Sequence, residues 1–131
     1  MSIYLPDINV VVDALNGKRG RKQLLQNLLL QGHELACCSI TVAEVYSGMR
    51  LREEFTTGQF LSALTWYDIT RAVARRAGRL RFEWARRGIT LALPDTLIAA
   101  TALEYGLILI TNNQKHFPVP ELSIYSLPEA N

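Results

Sequence analysis

The stretch Leu91 to Phe117, LALPDTLIAATALEYGLILITNNQKHF, constrains the fold more than any other part of the chain. Pro94 suits a first helical turn, where its missing N–H is not needed. Asp95 follows in that turn, where the positive end of the helix dipole favours a carboxylate. Thr96 to Tyr105 is apolar almost all round, which predicts a buried helix. Gly106 fits the left-handed position just past a helix end. Leu107 to Ile110 is a short, fully apolar run, the pattern of a parallel strand covered on both faces. The run stops at Thr111-Asn112-Asn113, and polar groups just past the carboxyl end of a parallel strand are where open α/β sheets bind ligands. Asp95 and Asn113 are therefore candidates for one site, with Thr111 in support.

The rest of the chain reads as alternating strands and helices. Ser2 to Leu5 is a strand candidate, and Asp7 then caps a helix to Leu15, with Asn9 in its first turn. A basic loop, GKRG, leads into a helix from Arg21 to Leu30 with Leu24, Leu25, Leu28 and Leu29 on one face. Glu34 to Cys38 is a second strand. Ser39 or Thr41 caps a third helix through about Arg52, and a further helix spans Glu53 to Leu64. Trp66 to Ile69 is a short strand, with Asp68 inside it. Thr70 caps an arginine-rich helix to Arg87, closed by Gly88. Leu122 to Tyr125 is an edge-type last strand, set apart by Pro118 and Pro120. The alternation predicts a parallel sheet covered on both sides, with all strand carboxyl ends at one edge.

With 131 residues the chain is long enough for one domain with a proper core, expected to span 1–131, and too short for two. Half the residues are hydrophobic, which excludes a disordered tail, and no apolar run reaches the ~18 residues of a membrane span. The N-terminus lacks a basic region before its apolar stretch and Asp7 interrupts early, so no signal peptide is expected. Cys37 and Cys38 are neighbours, a poor arrangement for a disulfide or a spaced metal-binding pair, and they read as buried thiols in a reducing cytoplasm. A formal net charge of +2 does not argue for nucleic acid by itself.

The topology sends Asp7, Glu44, Asp95 and Asn113 to the same sheet edge. Each has an ordinary structural explanation: a helix cap, the fourth residue of a Thr41-to-Glu44 capping box, a first-turn carboxylate and a turn residue. Those explanations do not account for their convergence. Two carboxylates ~4 Å apart repel by ~4 kcal/mol at an effective dielectric of ~20, so a cluster needs a cation, a shared proton or basic neighbours. An all-oxygen ligand set suits Mg²⁺ or Mn²⁺. Zinc would call for histidine or cysteine, of which His116 alone is near in sequence.

The segments LPDINVVVDAL, SITVAEVYSGMR, RLRFEWARRGITL and LPDTLIAATALEYGLILITNNQKHF together resemble PIN domains, specifically the VapC-type toxins of bacterial and archaeal toxin–antitoxin pairs. The resemblance covers nearly the whole chain. It implies a three-layer α/β/α domain with a central parallel sheet of about five strands. It also implies a Mg²⁺- or Mn²⁺-dependent ribonuclease, a cognate antitoxin partner, an RNA substrate and a homodimer. The family's acidic positions fall on Asp7, Glu44 and Asp95, the metal ligands, with Asn113 at a fourth position where members carry Asp or Asn. A bound divalent ion needs no histidine base. His33 precedes the second strand and His116 follows the fourth, so a two-histidine mechanism is disfavoured.

Two surfaces remain open at this point. Arg75, Arg76 and Arg79 share part of one helix whose buried stripe is Val73, Ala77, Leu80 and Trp84. They form either a solvated face or a phosphate-binding one. Lys18, Arg19, Arg21 and Lys22 carry the same ambiguity. The apolar residues Leu51, Phe55, Phe60, Leu61, Leu64 and Trp66 are core, or, as the resemblance implies, part of a dimer and antitoxin surface. A receiver-like signalling domain fits less well, since Asp7 stands alone after the first strand and Lys115 precedes the last. A PIN-like domain that only binds RNA or protein is the other alternative.

Overall fold

The structure is a computed structural model that describes residues 2–128. Five strands run parallel: β1 (Ile3–Pro6), β2 (Glu34–Cys38), β3 (Thr65–Tyr67), β4 (Ile108–Thr111) and β5 (Ser123–Ser126). Their order across the sheet is β3-β2-β1-β4-β5, so β1 lies at the centre between β2 and β4. Six helices connect them: α1 (Ile8–Leu15), α2 (Arg21–Leu30), α3 (Ser39–Gly48), α4 (Glu54–Ser62), α5 (Arg71–Ala85) and α6 (Leu93–Tyr105). This is the expected parallel α/β sandwich of three layers.

Alternation along β2 sorts the layers, because successive strand residues face opposite sides. Leu35 and Cys37 pack with Val10, Val11, Leu25, Leu28 and Leu61 on one face, against α1, α2 and α4. Ala36 and Cys38 pack with Leu5, Ile98, Ala99 and Leu109 on the other, against α6. A further cluster joins α5 to the outer side of α6 through Val73, Ala77, Leu80 and Ala100. Helix α6 is thus enclosed between the sheet and α5, which explains why its sequence is apolar all round. Its buried Thr96 and Thr101 hydroxyls donate to the helix's own carbonyls at Ala92 and Leu97, so neither is left unsatisfied.

Several helix ends follow local rules. Asp7 caps α1, accepting from the Val10 N–H at 3.1 Å. Thr70 caps α5 by accepting from the Val73 N–H at 3.2 Å. Gly106 ends α6 in the left-handed region at φ 66°.

The middle of the chain departs from expectation. Helix α3 stops at Gly48 rather than near Arg52, because Met49 and Arg50 turn extended before a short 3-10 turn at Leu51–Glu53. Neither Ser39 nor Thr41 caps α3; the capping position is Cys38, with no side-chain cap, and the buried Thr41 hydroxyl lies 3.5 Å from Cys38 Sγ. The carboxylate that closes a turn is Glu53, which accepts from the Arg50 N–H at 2.7 Å. Strand β3 ends at Tyr67, so Asp68 lies just past it, exposed, rather than inside it.

No helix among the described residues is long and apolar enough to cross a membrane. Both cysteines are free and buried, and burial pushes the Cys37 thiol up to about 12.

Candidate metal and nuclease site

The site is built on the carboxyl ends of the two central strands. The Asp7 N–H donates to the Ile110 carbonyl at 2.9 Å, extending the β1–β4 pairing by one residue. Beside it, the Thr111 hydroxyl donates to Asp7 Oδ2 at 2.5 Å and accepts from the Asn113 N–H at 2.9 Å. The hydroxyl oxygen thus accepts from Asn113 while its single proton is directed at the carboxylate. Asp7 Oδ1 is already held by the first turn of α1, where Asn9, itself exposed, contributes a backbone N–H. Asp7 is therefore 4% exposed and fixed from both oxygens.

Asp95 reaches the same place from the first turn of α6, and its charge is one of the influences on Asp7. Burial is the largest cause raising the Asp7 pKa; hydrogen bonds from Thr111 and Val10 oppose it, and the Asp95 charge raises it further. Asp95 is also raised, by burial first, with His116 opposing. The His116 Nδ1 lies 3.8 Å from Asp95 Oδ2, at the rim. Among the described residues no lysine or arginine forms an ion pair with either carboxylate. His33 sits at the far end of the sheet, accepting from the Ser2 N–H at 3.1 Å.

The structure thus brings together Asp7, Asp95, Thr111 and Asn113. It does not bring Glu44 into a cluster of three metal-ligating side chains with them. Glu44 is exposed on α3 and lines a cleft with Val12, Leu15, Met49 and Thr57, beside the far end of α1 from Asp7. Asn112, next to the site, is buried with its Oδ1 unpartnered among the described residues, and the reading of the sequence did not single it out. Its only sequence signal was its place between Thr111 and Asn113.

The donors present fit a hard divalent cation. They are oxygens, two of them carboxylates whose charge burial disfavours, and among the described residues only His116, 3.8 Å from Asp95, lies close enough to offset either. A cation would stabilise the charged pair where the apolar surroundings do not.

The arginines separate into two groups. Helices α5 and α6 run antiparallel: Arg76 Nε meets Glu104 Oε2 at 3.0 Å, whereas Arg81 Nε donates to the Leu91 carbonyl at 3.1 Å. Glu104 lies nine positions beyond Asp95 in α6, ~13 Å along the axis. Arg75, Arg76 and Arg79 therefore line a cleft at the end of α6 away from the carboxylates, with Arg79 3.5 Å from Glu83. In the loop after α1, Arg19 pairs with the buried Asp13 at 3.0 Å, and Arg21 is itself buried.

Comparison with known proteins agrees with this architecture. The PIN domain family profile matches residues 4–121, and the chain belongs to that family. It is similar to Ribonuclease VapC19 of Mycobacterium tuberculosis, 37% identical over 121 residues that cover 90% of this chain and 95% of the relative. Ribonuclease VapC2 of Haemophilus influenzae is 32% identical, with 87% and 89% covered. Among solved structures, VapBC2 from Rickettsia felis bound to a promoter DNA fragment superposes with a TM-score of 0.82 at 28% identity, covering 95% of this chain and 98% of that one. A toxin–antitoxin complex from Klebsiella pneumoniae gives 0.80 at 30% identity, covering 99% and 100%.

Proposed function

We propose that this chain is a metal-dependent endoribonuclease that acts as the toxin of a toxin–antitoxin pair. The observation that carries the reading is the buried Asp7 carboxylate, held by Thr111 and facing the charge of Asp95 at the carboxyl edge of the sheet. The similarity to VapC ribonucleases, over nine-tenths of the chain, supplies the reaction class. Asp7 and Asp95 would hold Mg²⁺ or Mn²⁺, with Glu44 as a third ligand and the Asn113 amide orienting water or substrate. Such a cation, when bound, acidifies water and offsets charge building on a phosphate. The chain's own contribution is orientation. Thr111 fixes the Asp7 carboxylate and the turn that carries Asn113, and the α6 dipole supports Asp95.

The partner is a small antitoxin, as in the toxin–antitoxin complexes the fold resembles. A basic side chain from it, placed near Asp7 and Asp95, would satisfy the carboxylates and exclude the cation. The working form is a homodimer in the cytoplasm, where Cys37 and Cys38 stay reduced.

Purified protein should cleave RNA in Mg²⁺ or Mn²⁺ and not in EDTA. The product of the neighbouring antitoxin gene should suppress cleavage. Equal cleavage by Asp95→Asn and the parent would sink the nuclease reading. Equal cleavage by the complex and the free protein would sink the inhibitor.

A further inference from the structure

Strand β5 ends the sheet and has no neighbouring strand on its outer side. Three of its four residues are exposed, so the sheet holds it only through β4. Even so, the last rung of that pairing falls at the centre of the site. The Leu127 N–H, one residue past β5, donates to the Thr111 carbonyl at 2.8 Å. Thr111 is the residue whose hydroxyl donates to Asp7 Oδ2 and accepts from the Asn113 N–H. Fraying at the exit of β5 would therefore loosen the turn that orients the first carboxylate.

Two contacts pin this exit. The Leu127 side chain is buried with Val10, Leu25, Leu28 and Ile110. One residue on, the Pro128 carbonyl accepts from Arg21 Nη2 at 3.4 Å. Arg21 opens α2 and is 8% exposed. Among the described residues its guanidinium forms no ion pair, and its Nε has no hydrogen-bond partner. Burying a charge without a paired carboxylate is costly. Even buried ion pairs are often matched or bettered by apolar side chains of similar volume. Stability is thus a poor reason for an arginine here. Phosphate binding is no better, because burial withdraws Arg21 from the surface that the exposed Lys18 and Lys22 present. What Arg21 does touch is the segment that carries the rung to Thr111.

We propose that Arg21 is a positioning residue for the metal site: by holding the Pro128 carbonyl it keeps the exit of β5 on Thr111, and so keeps Asp7 and Asn113 aligned for the cation. The path runs from Arg21 through Pro128, Leu127 and Thr111 to Asp7. The inference rests on the ribonuclease reading and adds to it a residue that touches neither cation nor RNA.

The test pairs Arg21→Met, which keeps an apolar stem, with Arg21→Lys, which keeps a donor. Titration calorimetry follows Mn²⁺ binding, initial rates over a range of RNA concentrations follow cleavage, and the urea midpoint in EDTA follows folding. Arg21→Met should bind Mn²⁺ about tenfold more weakly, the low end for groups that act behind a ligand. Its kcat should fall while KM stays near the parent's, because Arg21 is buried away from substrate. Its urea midpoint should stay at or above the parent's, since a buried charge is removed and the exposed Pro128 carbonyl can turn to water. Arg21→Lys should recover part of the Mn²⁺ affinity. In a Thr111→Val background Arg21→Met should cost less than about threefold more, because the path to Asp7 is already cut. Parent-like Mn²⁺ affinity in Arg21→Met would overturn the proposal. A full tenfold loss on top of Thr111→Val would do the same, since Arg21 would then act by another route. A midpoint well below the parent's would make Arg21 a plain part of the folding core, and a change in KM alone would make it an RNA contact; either result sinks the positioning role. These failures leave the nuclease reading standing, since cleavage by the parent and its loss in Asp95→Asn are scored separately.

Discussion

Asp7 and Glu44 are carboxylates on the first two helices to follow central strands of one sheet, and their surroundings are opposite. Asp7 is buried, caps α1, and accepts a hydrogen bond from the Thr111 hydroxyl. Glu44 is exposed on α3, with no side-chain hydrogen bond or ion pair among the described residues. One half of the proposed metal site is therefore preorganised by the fold, while the other must swing in on a long side chain. Preorganisation carries a cost: the rigid half holds charge where burial opposes it, and the free half does not.

Replacing ligands should break the comparison most strongly in activity. Asp7→Asn should lower RNA cleavage by more than the ~10–100-fold typical of outer-shell losses, since a ligand and its charge both go. Its folding should survive, because Asn is also a good cap. In EDTA the variant should also show a weaker pH dependence of stability than the parent, with that of Asp95 remaining. The native-state pKa of Asp7 is raised, so the folded protein binds more protons than the unfolded chain between the ordinary carboxylate range and that raised value. Parent stability should fall as pH rises through this window, and the fall should be shallower in Asp7→Asn. Thermal melts at a series of pH values rising from the ordinary carboxylate range would show it.

Thr111→Val separates positioning from ligation. It leaves the buried Asp7 Oδ2 and the half-buried Asn113 N–H without their partner, costing about 1–3 kcal/mol of stability by denaturant titration. Cleavage should drop about 10–100-fold. Thr111→Ser should restore both, which simple loss of packing would not allow.

The smallest effect sharpens the contrast. Glu44→Gln should change stability by less than about 0.5 kcal/mol, as surface substitutions do, while still reducing cleavage. An unchanged cleavage rate would remove Glu44 from the ligand set and leave the two aspartates to act alone.

What the sequence revealed follows the same division. Asp7 as a cap, Pro94 and Asp95 in a first turn, and Gly106 at a helix end are legible because a few adjacent residues decide them. The parallel sheet is legible because runs such as Leu107 to Ile110 have only one comfortable environment. The ending of α3 is not, since Thr41 turns toward Cys38 and the turn at Arg50–Glu53 depends on a backbone bend that no single residue announces. Nor is the division of the arginines. Seven along one helix look equivalent until the antiparallel packing of α5 on α6 sends Arg76 to Glu104 and Arg81 to Leu91. The burial of Arg21 and the Asp13–Arg19 pair likewise turn a seemingly basic loop into a partly neutralised one.

The hydrogen bond between Asp7 and Thr111 joins residues 104 positions apart. A chain lengthening at ~5–20 residues per second needs roughly 5–20 s to pass from one to the other. Through that interval β1 lacks its β4 neighbour and the first carboxylate lacks the groups that orient it. Because the centre of the sheet is made from segments far apart in the chain, the site stays unassembled until Thr111 has been made. A product cut short before Thr111 would be inert, and the cell has those seconds in which to supply the partner that restrains it.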